Sequence, residues 1–331
     1  MKKVMAFGVV SLALSASVFA EEAPTNLLTM DGDDDIIFIS DSQARSGASM
    51  PRRTSFFTGV EYSENVFDNA PKNETTRYII ADGSTRIHPN MRMRFVLSEG
   101  HTKEGNPQIE RGSQLNYTLA PRYEKWVNPS FSYFAEPVLL RKVQADGSEN
   151  REIKLKPGAQ FTSGQHFLNS SAEYKMIQRE RYATNDQGYN KKRIERVDFD
   201  AASLTVNYTY RYSKSFNYGA NLSLNGTIDQ SDYSTRSKSY GVKTFIRASH
   251  LYGITTEFNV RYNQNQSGEF WAGSDTYGAS FNNNIRINQH LRLVANLGYS
   301  EASAHTVSPK NKNPAGDKTG MSVRVGANIS F

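Results

Sequence analysis

The 331-residue chain has no cysteine. Disulfide staples, thiolate nucleophiles and thiolate metal sites are therefore excluded. No segment approaches the ~20 consecutive apolar residues that a membrane-spanning helix needs. Long buried runs and helical stripes are missing too, although a soluble chain of this length would normally show them. Histidine is scarce, with six residues. His88, His166, His250 and His290 fall in or beside short turns, and His101 and His305 in longer loops. None shares a strand face with an obvious serine partner, and neither G-x-S-x-G nor H-E-x-x-H occurs. Loop acids such as Asp186 and Asp275 have no histidine neighbour to complete an acid–His pair. The run Asp31 to Asp35 lacks the spacing and the distal glutamate of a calcium loop. No enzyme activity, cofactor or metal is expected.

What the chain does have is alternation. From Met321 to Phe331, Met321, Val323, Val325, Ala327, Ile329 and Phe331 share one face, and Ser322, Arg324, Gly326, Asn328 and Ser330 the other. A period of two is what a strand gives when its faces meet different solvents. The same pattern recurs: Met91, Met93, Phe95 and Leu97 oppose Arg92, Arg94 and Ser98, and Ile254, Phe258, Val260 and Tyr262 oppose Thr255, Glu257, Asn259 and Arg261. Fourteen strands follow, at 54–63, 76–86, 90–99, 112–124, 129–143, 151–162, 166–182, 195–212, 216–229, 238–248, 253–263, 276–287, 290–300 and 319–331. Short turns follow the even-numbered strands, such as His88-Pro89 and Asn288-Gln289. Long polar loops follow the odd-numbered ones, such as Glu64 to Thr75 and Glu301 to Lys318. Tight turns on one side and long loops on the other are the pattern of outer-membrane barrels. The expected fold is all-β: a transmembrane antiparallel β-barrel of 14 strands with both termini periplasmic. It would sit in the bacterial outer membrane among its lipid and lipopolysaccharide.

The ends divide the chain. Lys2 and Lys3, the small and apolar run Val4 to Ala16, and Val18 and Ala20 before a cleavage point read as a signal peptide over 1–20. Residues 21–53 form an acidic segment, and 54–331 the barrel. The segment carries Glu21, Glu22, Asp31, Asp33, Asp34, Asp35 and Asp41 against Arg45, Arg52 and Arg53, with an apolar patch at Ile36, Ile37, Phe38 and Ile39. It is too short to be a TonB-type plug domain. Two roles remain open for it. It folds back into the lumen as a plug, drawn by opposite charge, or it stays a solvated leader.

Alternation also assigns the lumen. Arg92, Arg94, Arg122, Lys154, Lys156, Lys175, Arg179, Arg211, Lys243, Arg247, Arg261, Arg286, Arg292 and Arg324 point inward. The main inward acids are Glu61, Glu124, Glu136, Glu173 and Glu257. With Ser, Thr, Asn, Gln and Gly between them, these residues would line a water path. The basic excess either favours anions or pairs internally and holds water. Spread over strands inside a pore, it does not describe a nucleic-acid surface. Phe134, Phe245, Phe270 and Trp271 are candidate aromatics for stacking on a sugar ring or for packing at the rim. No strand demands a partner on its outer face, so a monomer is expected.

Length, leader, strand count and the terminal Asn328-Ile329-Ser330-Phe331 together resemble the monomeric saccharide porins of Gram-negative outer membranes, of the OmpG and CymA type. The resemblance rests on architecture over the whole chain after its leader, not on a specific motif. It implies passive diffusion of oligosaccharides, cyclodextrins and maltooligosaccharides foremost, and an N-terminal stretch lying in the pore. The basic lumen is closer to the acidic-sugar porins resembling KdgM, which are shorter, so acidic oligosaccharides are the alternative cargo. A barrel enzyme (lipase or protease) or an adhesin is the alternative of another class. Removal of residues 22–45 is expected to raise single-channel conductance in a planar bilayer; unchanged conductance would identify the segment as a solvated leader.

Overall fold

The computed structural model describes residues 54–67, 74–103, 112–144, 148–184, 191–228, 236–250, 253–267, 272–305 and 317–330. The stretch 1–20 expected to be a signal peptide, the acidic segment with Asp31, Asp33, Asp34, Asp35, Ile36, Ile37 and Phe38, and the loop aromatics Phe270 and Trp271 lie outside them.

Fourteen strands run in chain order: β1(Thr54–Phe67), β2(Glu74–His88), β3(Met91–Lys103), β4(Gly112–Asn128), β5(Phe131–Gln144), β6(Glu149–Ser163), β7(His166–Thr184), β8(Lys191–Arg211), β9(Phe216–Thr227), β10(Ser237–His250), β11(Ile254–Ser267), β12(Ala272–Arg286), β13(Leu291–His305) and β14(Lys318–Ser330). Each pairs antiparallel with its chain neighbours, and β1 closes on β14 from Ser55↔Ser330 to Phe67↔Lys318. The result is a closed barrel of the outer-membrane type, without a free edge.

Several strands reach further toward the long loops than their apolar alternation does. In β1 and β14, pairing continues through Asn65↔Gly320 and Val66↔Thr319. β7 and β8 are the longest, at 19 and 21 residues. Backbone pairing needs no apolar face, so a ladder persists after the hydrophobic pattern has stopped.

The short turns are closed by side chains next to them. Asn128 Oδ1 accepts from the Ser130 N–H at 2.8 Å, Asn288 Oδ1 from the N–H groups of His290 and Leu291 at 2.8 and 2.9 Å, and Ser213 Oγ from the Ser215 N–H at 3.2 Å. Asn and Ser do this because a short polar side chain can mimic a turn's own backbone bond. Gly164, between β6 and β7, has φ +58°, a left-handed conformation that a side chain disfavours.

Outward-facing residues are apolar and exposed: Val60, Leu97, Leu119, Leu139, Ile153, Leu155, Leu222, Leu224, Val260, Tyr277 and Val325 are examples. Inward positions between them are mostly polar and covered by their neighbours. One inward region departs from the expected water-lined wall. Phe57, Tyr78, Ile80 and Val294 form a buried apolar cluster on the β13-β14-β1-β2 side. In β2 both faces carry bulky residues, with Ile79 outside and Ile80 inside, so alternation of polarity cannot separate them. Aromatic rings cover inward glycines: Phe57 lies over Gly59 and Gly326, Phe134 over Gly158, and Phe245 over Gly219.

A β-carbon on Gly59 would stand 2.6 Å from both the Phe57 ring and the Val325 carbonyl oxygen, and the carbonyl belongs to the ladder that closes the barrel. Gly59→Val is expected to destabilise the barrel by about 1–3 kcal/mol. A lower temperature for loss of the compact band in heat-modifiability gels would report it.

Candidate functional site: the barrel lumen

Side-chain pairing organises the inward charges into groups along the wall. On β2, β3 and β14, Arg94 donates to both carboxylate oxygens of Asp82 at 3.3 and 3.0 Å. Arg324 stands over the Phe57 ring at 4.5 Å and faces Glu61 across the β1–β14 ladder. On β4 to β7, Arg122 reaches Glu124 at 3.0 Å and Glu136 at 3.8 Å and covers the Phe134 ring at 3.8 Å. Lys154 meets Glu152 at 3.3 Å and Glu173 at 3.9 Å, Lys175 meets Glu173 at 3.0 Å, and Lys156 faces Glu136 by register. On β10 and β11, Arg247 donates to Glu257 at 3.0 and 2.7 Å, and Asn259 donates to the same carboxylate at 3.1 Å. These acids and bases are neighbours on adjacent strands or two residues apart on one strand, which is how ions removed from bulk water are kept satisfied.

Like charges also face one another. Arg92 stands between Arg86 and Arg122, Lys243 is opposite Arg261, and Arg286 is opposite Arg292. Directly opposed like charges destabilise a sheet pair, so these rows concentrate cations on the lumen face. Arg286 and Arg211 differ from the others in being exposed at the ends of β12 and β8; Arg286 donates to the Asn288 carbonyl at 3.4 Å. Arg179 is exposed as well and stands over the Phe199 ring at 4.9 Å.

Asp82, Arg86 and Glu152 belong to these groups but escaped the alternation reading. Asp82 was masked by the bulk of Tyr78 and Ile80 on its own face. Glu152 lies beyond the point where the apolar pattern of β6 ends. Of the two stacking candidates that the structure describes, Phe134 is buried under Arg122, whereas Phe245 is half-buried beside Arg247 at 5.7 Å.

The wall from β8 to β13 has a different chemistry. Its inward positions are dominated by Thr205, Asn207, Asn221, Asn225, Ser239, Asn259, Ser280 and Asn296, interrupted by Lys243, Arg247, Glu257 and Arg261. The carboxamides bond across strands: Asn221 to Asn207, Asn225 to Ser239 at 3.2 Å, and Ser280 to Asn259 at 2.7 Å. The lumen thus has paired charges along β2 to β7 and, from β8 to β13, mainly uncharged donors and acceptors around the charged group on β10 and β11. Among the described residues, no group of three or more His, Asp or Glu side chains is placed to hold a metal ion.

No protein family matches the chain, and no curated protein does. Solved structures do. A deltaS2 mutant of the monoaromatic hydrocarbon channel TodX is similar at a TM-score of 0.55 and 8% identity, over 86% of this chain and 90% of that one. A FadL homologue of Pseudomonas aeruginosa is similar at 0.53 and 10%, over 84% and 90%. A deltaS2S3 mutant of TodX is similar at 0.52 and 10%, over 96% and 98%. At these identities the likeness is one of fold: the barrel is that of outer-membrane proteins.

The Asp82 side chain is only 1% exposed, so Arg94→Ala leaves a buried carboxylate without its guanidinium. The variant is expected to lose about 3–5 kcal/mol. The double variant Asp82→Ala/Arg94→Ala should recover part of that loss, measured as a double-mutant cycle in urea unfolding of the detergent-folded barrel.

Proposed function

We propose that the protein is a passive channel of the bacterial outer membrane for hydrophilic oligosaccharides, with acidic ones favoured. Both termini lie in the periplasm, and the long loops face outside. The fold supports the channel part: barrels of about eight strands fill their interior with side chains, and those of about 16–18 leave an aqueous path. Fourteen strands stand nearer the open end. The observation that carries the cargo is the set of opposed cations on the lumen face, Arg86–Arg92–Arg122, Lys243–Arg261 and Arg286–Arg292. A carboxylate-bearing sugar entering between two such cations relieves their repulsion, which a neutral sugar cannot do. The carboxamide and hydroxyl wall of β8 to β13 offers donors and acceptors to sugar hydroxyls in either case. It supports a second reading, uptake of neutral cyclodextrins and maltooligosaccharides.

Planar-bilayer recording with acidic oligosaccharides, maltooligosaccharides and cyclodextrins in turn tests both readings. Transient block by the acidic sugars at lower concentration than by the neutral ones is expected. Lys243→Gln/Arg261→Gln should weaken that block and move the reversal potential in a salt gradient away from anion preference. Stronger block by neutral sugars would select the second reading, and the lack of conductance steps would overturn the channel.

A further inference from the structure

Backbone pairing around the barrel is interrupted at membrane depth at two seams flanking β5 and β6. The β4–β5 ladder runs Leu119↔Leu139 and resumes at Tyr123↔Ala135. Between them, counting inward from either side, Pro121 falls opposite Pro137. Glu124 N–H donates to the Asn90 carbonyl, so even-numbered residues of β4 aim their backbone groups at β3 and odd-numbered ones at β5. Thr162 N–H donates to Ser130 and Gln144 N–H to Ser148, so odd-numbered residues of β5 aim at β4. Pro121 and Pro137 therefore occupy a rung that should exchange two N–H···O bonds, and neither has an N–H. On the far side of the same panel, the β6–β7 ladder stops at Leu155↔Tyr174 and resumes at Gly158↔Ser171, with Pro157 in the break. The β5–β6 ladder between the two seams is continuous.

Several features around the first seam fit a passage. Outward of it lie Pro121 and Pro137, between Leu119, Leu139, Tyr123 and Tyr133, all in the lipid-facing band. Inward of it lie Ala120, Val138, Leu140 and Val96, an apolar group apart from the Phe57–Tyr78–Ile80–Val294 cluster on the β13-β14-β1-β2 side. Beneath it the Arg122–Glu136 pair at 3.8 Å joins the two strands where the backbone does not. A missing rung separates the neighbouring ones by four residues, about 13 Å along the strands at ~3.3 Å per residue. Unpaired backbone donors in lipid cost several kcal/mol each, and facing prolines remove both donors from the break, leaving only the two proline carbonyls without a rung. The ladder is interrupted where only acceptors are left over.

We infer that the β4–β5 seam is a lateral aperture through which a small apolar or amphipathic molecule passes between the lumen and the surrounding lipid, with Arg122–Glu136 bridging it on the lumen side. This route is separate from the axial path of the proposed channel. An apolar solute that enters with water from the long-loop side would meet Val96 and Leu140, then Ala120 and Val138, then the acyl chains. It need not cross the charged walls to the far mouth.

The chain's lack of cysteine permits a direct test. A bimane fluorophore on Val138→Cys, half-buried, is compared with one on Thr205→Cys, which is also inward, is buried and stands on the continuous β8–β9 ladder. The full chain is placed in vesicles whose phospholipids carry bromine on the acyl chains. Quenching several-fold greater at 138 than at 205 is expected. It should fall to the control level in Pro121→Val/Pro137→Val, which restores both donors. In cells, uptake of the apolar probe N-phenylnaphthylamine should be several-fold slower with the double proline variant than with the original chain. Axial conductance and the heat-modifiable band should be the same for both, which shows that the variant is folded and open. Equal quenching at 138 and 205, or uptake unchanged by the proline replacements, would overturn the aperture. Neither readout depends on axial conductance, so the aperture and the sugar channel can fail separately.

Discussion

Everything in this molecule answers to one requirement: in hydrocarbon, every backbone N–H and C=O must find a partner within the protein. A helix meets it locally, but the chain has no segment apolar and long enough to cross as a helix. Closing β1 on β14 meets it globally, and this closure fixes the rest. Because each strand has a neighbour on both sides, register is set all round, and register decides which lumen charge faces which. The pairs Asp82–Arg94, Arg122–Glu136 and Arg247–Glu257 are consequences of ladder alignment before they are electrostatic contacts.

Register also explains the uneven wall. Where opposite charges fall side by side, on β4 to β7, the lumen face is neutralised locally. Where cations face cations, as at Lys243–Arg261, register sets like charges side by side. A count of basic residues cannot distinguish these cases, since both strands of a like-charged row look identical in sequence to a strand whose charges are matched. The glycines follow the same geometry. Gly59, Gly158 and Gly219 are the places where an inward aromatic ring needs room to lie flat against the wall.

Much of the architecture was legible in the amino-acid order. Alternation located most of the strands, because a strand with water on one face and lipid on the other must repeat every two residues, and the contrast of short turns with long loops gave the antiparallel order. Strand lengths were read short at the long-loop ends, where pairing outlasts the apolar pattern, as at Asn65 and Val66. The Phe57–Tyr78–Ile80–Val294 cluster was missed because its inward members are as apolar as their outward neighbours. The facing of Pro121 and Pro137 was out of reach, since it requires knowing that residue 121 falls opposite 137 and not 136 or 138. The kind of solute is a property of the lumen's residues in three dimensions, and the likeness to other barrels, at about one residue in ten, does not carry it.

The closure of β1 on β14 has a kinetic side. It joins the two ends of the described barrel, Ser55 to Ser330, so the contact that removes the last free edges is also the one with the greatest separation along the chain. Loop closure over such a distance comes late and slowly. Until it happens, two strands present open edges that can pair with another copy. The order of assembly is thereby written into the topology: hairpins first, the terminal seam last, and a need for something to shield those edges in the interval.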